Sequence, residues 1–170
     1  MSLAVLAWLF TLGVVAHNTE EALYLPAWST TAGRWYAPVG TREFAFAATM
    51  LSLVLVALAA AALSAGSQSI WAYLFTGYVF TMVANVFVPH ALGTIALRRY
   101  IPGTATALLL NLPLGCLFLK QALAQGFVAW GTIAWVAPLT ALLIVASIPV
   151  LFAAGRWLLL GKRPGAKSAT

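Results

Sequence analysis

Residues 44–63 read FAFAATMLSLVLVALAAAAL, twenty positions without a charged side chain. A helix rises about 1.5 Å per residue, so this stretch alone crosses the roughly 30 Å hydrocarbon core of a bilayer. The same pattern recurs on both sides of it. Apolar segments of spanning length lie at about residues 3–25, 70–97, 104–124 and 128–160. Between them run a long connection at 26–43, the uncharged turn Ala65-Gly66-Ser67-Gln68-Ser69, and the tight connection Arg98 to Gly103. The pattern predicts an all-α, polytopic integral membrane helix bundle of about five transmembrane helices. It forms a single domain over residues 1–160, followed by a basic tail at 161–170.

Composition narrows the function classes. Of 170 residues, 63% are hydrophobic and 7% charged, with a mean hydropathy of +0.97. A soluble domain carries about 25% charged residues. A soluble enzyme, a disordered tail and a nucleic-acid-binding module are therefore excluded. The net charge of +6 is not a nucleic-acid footprint, because the basic residues sit between apolar spans. The single cysteine, Cys116, excludes an internal disulfide and a multi-cysteine zinc site. It is expected to be a small apolar residue buried in its helix.

With five spans, one side of the membrane receives Arg34, Arg42, Arg98, Arg99, Arg156, Lys162, Arg163 and Lys167, and the other only Lys120. Positive residues stay in the cytoplasm. The expected location is the cell membrane, multi-pass, with the N-terminus outside and the C-terminus cytoplasmic. The same count argues against a signal peptide cleaved after Ala16, which would carry Arg34 and Arg42 outside.

The chain has no Asp, three Glu and two His. His17, Glu20, Glu21, Glu43 and His90 all fall in the cytoplasmic leaflet on this topology. Residues three and four apart share a helix face, so Glu20 and Glu21 flank His17. Tyr24, at i+7, continues the stripe, and Gly13, one turn back, leaves room for a neighbouring helix. This arrangement offers one nitrogen and one or two oxygens to a metal ion, as in the Glu-x-x-His pairs of bundle-core metal sites.

In the third segment, Pro89 cannot hydrogen-bond to the Asn85 carbonyl, so it bends the helix beside His90. In a straight helix Asn85 and His90 would point about 140° apart. They share a target only if the bend re-aims one of them. Asn111 lies about two turns into the fourth segment from the same side. Ionisable groups inside spans are costly and mark functional sites. The expected metal ligands are His17, Glu20, Glu21 and His90, with Glu20 and Glu21 also the candidate catalytic groups. Tyr24, Glu43, Asn85, Tyr100 and Asn111 are expected to bind substrate or support the ligands. Gly155 to Lys162 fails as a phosphate loop on its glycine spacing. Ser64, Ser67 and Ser69 lack a paired base for nucleophilic catalysis.

The order His17-Asn18-Thr19-Glu20-Glu21, then Asn85 and His90, then Tyr100-Ile101-Pro102-Gly103 resembles the HXXEE family of small bacterial membrane proteins. The resemblance covers roughly the first four spans. It implies that His17, Glu20 and Glu21 are the defining residues, with Asn85, His90 and the Tyr-x-Pro-Gly loop as companions. It carries no activity with it.

Three functions are open at this level. One is an enzyme with one divalent metal, Zn or Fe, acting as hydrolase or oxidase on a lipid or other apolar substrate. Another is a proton- or cation-coupled transporter or channel subunit. The third is a non-catalytic accessory membrane subunit. The expected partners are membrane lipids and an apolar small molecule.

Overall fold

The computed structural model describes residues 1–33 and 36–160, with side chains to residue 158. Arg34, Lys162, Arg163, Lys167 and the expected tail at 161–170 lie outside the described residues. The chain forms an all-helical bundle with five helices long and apolar enough to cross a membrane. These are α1 (Leu3–Ser29), α2 (Thr41–Ala65), α3 (Ile70–Leu97), α4 (Thr104–Ala124) and α5 (Trp130–Leu160). It is a multi-pass membrane protein.

The boundaries move where side chains rescue the backbone. The 26–43 connection contracts, because α1 continues through Pro26 to Ser29. The hydroxyls of Ser29, Thr30 and Thr31 donate to the carbonyls of Pro26, Ala27 and Trp28, at 2.7, 2.8 and 2.9 Å. These bonds add partners for carbonyls at the helix end, where the Trp28 carbonyl also accepts from the Thr31 amide at 3.1 Å.

Helix α3 packs against α2, α4 and α5, while α1 packs against α2 and α4. The core is a column of Leu6, Phe10 and Val14 from α1, Leu55 and Ala59 from α2, Phe75 and Tyr78 from α3, and Phe118 from α4. Small residues let the helices approach. Ala59 and Ala62 are fully buried. A Cβ at Gly77 would sit 2.6 Å from the Thr140 hydroxyl of α5. Cys116, expected in the interior, is exposed instead. The buried stripe of α4 runs through Asn111, Gly115, Phe118 and Ala122 and leaves Cys116 beside it, where a thiol meets lipid as a small apolar group.

Polar contacts tie the two ends of the bundle. At one end the Gln121 amide donates to the Met1 carbonyl, and the Gln68 amide donates to the Gly126 carbonyl, at 3.1 and 2.7 Å. At the other, Arg99 donates to the carbonyl and hydroxyl of Thr31, and its guanidinium lies 5.3 Å from the Trp28 ring centre. Two helices deviate toward this second end. α3 passes through a π-helical turn at Val86–Ala91, and α4 through one at Ala107–Asn111. In the first, Val88 is extended, with φ −131° and ψ 115°, immediately before Pro89. The bend expected at Pro89 is therefore present, with the break one residue earlier. π-turns of this kind gather at functional sites.

Candidate metal centre

His17, Glu21 and His90 converge. Their ligand atoms lie within 4.8 Å of one another. His17 Nε2 is 3.7 Å from one Glu21 oxygen, and His90 Nε2 is 3.3 Å from the other. The two imidazoles meet edge to face, with ring centres 4.8 Å apart and planes at 85°. Both His are 1% exposed or less. Position i+4 supplies Glu21 on α1, and the broken turn of α3 turns His90 toward it.

The hydrogen bonding leaves the inward nitrogens free. His17 Nδ1 is 3.1 Å from the Gly103 carbonyl oxygen. A carbonyl only accepts, so Nδ1 carries the proton and Nε2 keeps its lone pair. Among the described residues, His17 Nε2 and both nitrogens of His90 are buried without a hydrogen-bond partner. No hydrogen bond reaches the Glu21 carboxylate among the described residues either, although its side chain is only 18% exposed. Buried polar groups are normally paired. Here two buried, unpartnered imidazole nitrogens lie beside the two oxygens of one carboxylate. Two imidazole nitrogens and a carboxylate could form a donor set for zinc or non-haem iron, and of the two rings His17 is held through its opposite nitrogen. Metal bonds of about 2.0–2.1 Å hold neighbouring donors about 3.3 Å apart in a tetrahedron. The 3.7 and 3.3 Å separations run to different oxygens of Glu21, and with one atom from each residue the three donors lie within 4.8 Å, so the side chains would draw together around an ion.

Glu20 faces a different task. One of its oxygens accepts from the Tyr100 hydroxyl and from the Gly103 amide at 2.9 Å, and the other from the Thr106 hydroxyl at 2.7 Å. Its lone pairs are engaged in holding the turn between α3 and α4. Burial and the bond to Glu20 push the Tyr100 phenol above its ordinary range. Thr106 also lies 3.2 Å from His17 Nδ1. Glu20 thus fixes Gly103 and Thr106, and these fix the His17 ring.

Gly103 is where the loop touches the centre. Its φ is +92°, a left-handed conformation that favours glycine. A Cβ there would meet His90, Glu21 and His17 at 2.8, 2.9 and 2.9 Å. The glycine of the Tyr-x-Pro-Gly loop is therefore required on both counts.

The other expected residues are dispersed. Tyr24 is 61% exposed, because the buried stripe in the last turns of α1 passes to Leu25 and Trp28, which pack on Ile101. Asn85 is half-buried before the broken turn, and no hydrogen bond joins it to the cluster. The bend re-aims His90 alone. Glu43 occupies the first turn of α2, its carboxylate folded over Gly40, where a negative group favours the helix N-terminus. Asn111 is fully buried on the second π-turn. Gly13 admits α4 as expected, its missing Cβ lying 3.3 Å from Leu110 Cβ and 3.4 Å from Asn111 Oδ1. Thr106 escaped the sequence reading, its one signal being a hydroxyl one turn beyond Gly103.

The HXXEE family, described as "Protein of unknown function with HXXEE motif", matches residues 8–118, which include His17, Glu20, Glu21, His90 and Gly103. An uncharacterized protein of Bacillus subtilis (strain 168), YrkK, is 31% identical over 146 residues, covering 86% of this chain and 92% of that protein. No solved structure matches. On the family match and this relative, the chain belongs to the HXXEE family.

Proposed function

We propose that the protein is a metal-dependent integral membrane enzyme whose centre is held by His17, Glu21 and His90. The observation that carries the reading is the convergence of two unpaired, buried imidazole nitrogens on one unpaired carboxylate. Three protein ligands leave coordination positions open, the pattern of catalytic rather than structural sites. A bound Zn or Fe ion would supply Lewis acidity or redox chemistry there. This chain's residues orient the ligands: Gly103 fixes the His17 tautomer, and Glu20 fixes Gly103. Metal analysis of protein purified in mild detergent without chelator tests the proposal. The parent is expected to carry about one equivalent of transition metal and His17→Ala almost none.

The substrate is an apolar molecule reached within the membrane. The flanks of the centre are apolar, with Val88 63% and Phe87 53% exposed next to buried His90. A cation pathway is less well supported, since Phe10, Phe75, Phe118 and Leu55 fill the bundle axis beyond the centre.

The orientation we propose has the N-terminus outside and the centre at the cytoplasmic end. Arg42, Arg98, Arg99 and Arg156 support it, since they lie at the helix ends nearest the centre while Lys120 lies near the far end of α4. A cytoplasmic reporter fused at Thr170 is expected to be active. Activity of a periplasmic reporter at that position would reverse the assignment.

A further inference from the structure

Helices α4 and α5 both pack on α3. Between them, toward the end where Gln68 bonds Gly126, lies a cavity of about 400 Å³. Its floor is Thr76 and Phe80 of α3, and its walls are Leu119 and Leu123 of α4 and Ile133 and Ala137 of α5. Trp130, 72% exposed, stands at its edge. None of the residues lining it is charged. The size falls in the range of small-molecule sites, about 300–1,000 Å³, which are apolar with a few placed polar groups.

Two polar groups interrupt this apolar lining. Thr11, Thr81 and Thr140 each donate to the carbonyl four residues back, at 2.8 Å. Thr76 makes no such bond. It is 1% exposed, and its hydroxyl has no partner among the described residues. Buried hydroxyls are normally paired. On the facing wall, Ala134 and Pro138 both line the cavity. Pro138 has no N–H, so the Ala134 carbonyl lacks its helical donor and points along the axis toward the proline ring. Surrounding lipid tails supply no donor in its place. A Cβ at Gly77 would meet Thr140 across the α3–α5 contact. Thr76 therefore stands level with the turn at Pro138.

We infer that this cavity binds a long-chain alcohol, a hydrocarbon chain with one hydroxyl, taken from the membrane. A hydroxyl both donates and accepts. It accepts from Thr76 and donates to the Ala134 carbonyl, and the chain fills the apolar remainder. A ketone or ester oxygen only accepts, and leaves the Ala134 carbonyl open. A carboxylate or phosphate would enter with no cation to pair it. A plain acyl chain leaves both groups unpaired. The site lies at the opposite end of the bundle from His17, Glu21 and His90, and it does not depend on a metal there.

Hexadecanol carrying a mid-chain diazirine is the probe, added to the full chain in phosphatidylcholine vesicles, with the labelled residues read by mass spectrometry. The parent is expected to show saturable labelling at Leu119, Leu123 and Ile133. Unlabelled hexadecanol should displace the label at least about tenfold better than hexadecane, the scale of two hydrogen bonds. Thr76→Val keeps the shape of the side chain and removes its hydroxyl. It is expected to weaken displacement by hexadecanol about fivefold, the scale of one hydrogen bond, and to leave displacement by hexadecane unchanged. Equal displacement by hexadecane and hexadecanol in the parent means that any lipid chain fills the groove, and overturns the inference. Unchanged affinity for hexadecanol in Thr76→Val overturns it too. Ala134→Phe fills the cavity from an exposed position and is expected to abolish the saturable label. Where Thr76→Val fails to fold, Ala134→Phe carries the test, and label retained there overturns the inference equally.

Discussion

Replacing Glu21 by glutamine is expected to lower metal affinity by more than about 100-fold, whereas Glu20→Gln is expected to stay within about tenfold of the parent. Adjacent carboxylates with the same intrinsic chemistry should thus behave oppositely. Glu21 brings its two oxygens to 3.7 Å from His17 Nε2 and 3.3 Å from His90 Nε2, with no hydrogen-bond donor bonded to it among the described residues. A glutamine amide in its place would remove the one negative charge in the donor set and put an N–H where a lone pair is needed. Losing a supporting residue costs about 10–100-fold in metal affinity, and losing a ligand costs more. Glu20 is such a supporting residue, and glutamine fits its place. The amide oxygen keeps the bonds from Tyr100 and Gly103, and the amide nitrogen meets a Thr106 hydroxyl that can turn to accept. Metal competition titrations on the two purified variants measure the difference. Equal losses in both would mean that Glu21 is not the ligand described here.

Gly103→Val should dismantle the centre while leaving the far end of the bundle folded. A left-handed backbone costs an L-residue about 1–2 kcal/mol, more when it is β-branched. Overpacking adds about 1–3 kcal/mol. At φ +92° the new Cβ lands within 2.9 Å of carbons of His17, Glu21 and His90, all on buried or partly buried side chains. The loop must lift, which removes the Gly103 carbonyl from His17 Nδ1 and the Gly103 amide from Glu20. The variant is expected to lose its metal and to melt several degrees lower, because a cost of 1 kcal/mol lowers Tm by roughly 2–4 °C in a domain of this size. Gly66→Val is the control, since Gly66 also has a positive φ, +78°, but a Cβ there meets nothing within 4 Å among the described residues. It should carry the backbone cost and keep its metal. Full metal retention in Gly103→Val would contradict the packing described here.

The bundle was legible because apolar runs of spanning length leave a chain few choices in lipid, where helices satisfy their own backbone. The pairing of His17 with Glu21 was legible for the same kind of reason, since a spacing of four is fixed by helix geometry. His90 was legible only in outline. Pro89 announces a bend, but the direction of His90 depends on the extended Val88 and on the π-turn around it, neither of which has a periodic signature. Glu20 and Glu21 look equivalent in sequence. They divide because Tyr100, Gly103 and Thr106 return from 80, 83 and 86 residues away to claim one of them. Tyr24 shares the helical stripe of His17 yet lies outside the packed surface, because the helices around the last turns of α1 give way to the Trp28–Ile101 cluster. Loop-to-helix hydrogen bonds of this kind are long-range and leave no local pattern.

Transition-metal content of the parent protein tests the central claim most directly. Protein purified in mild detergent without chelator is dialysed against metal-free buffer and analysed by mass spectrometry, with His17→Ala prepared in parallel. The account predicts about one zinc or iron per chain in the parent and almost none in His17→Ala. A parent without stoichiometric metal that also fails to take up added zinc, iron or cobalt would contradict it, as would a His17→Ala variant that retains the parent's full complement.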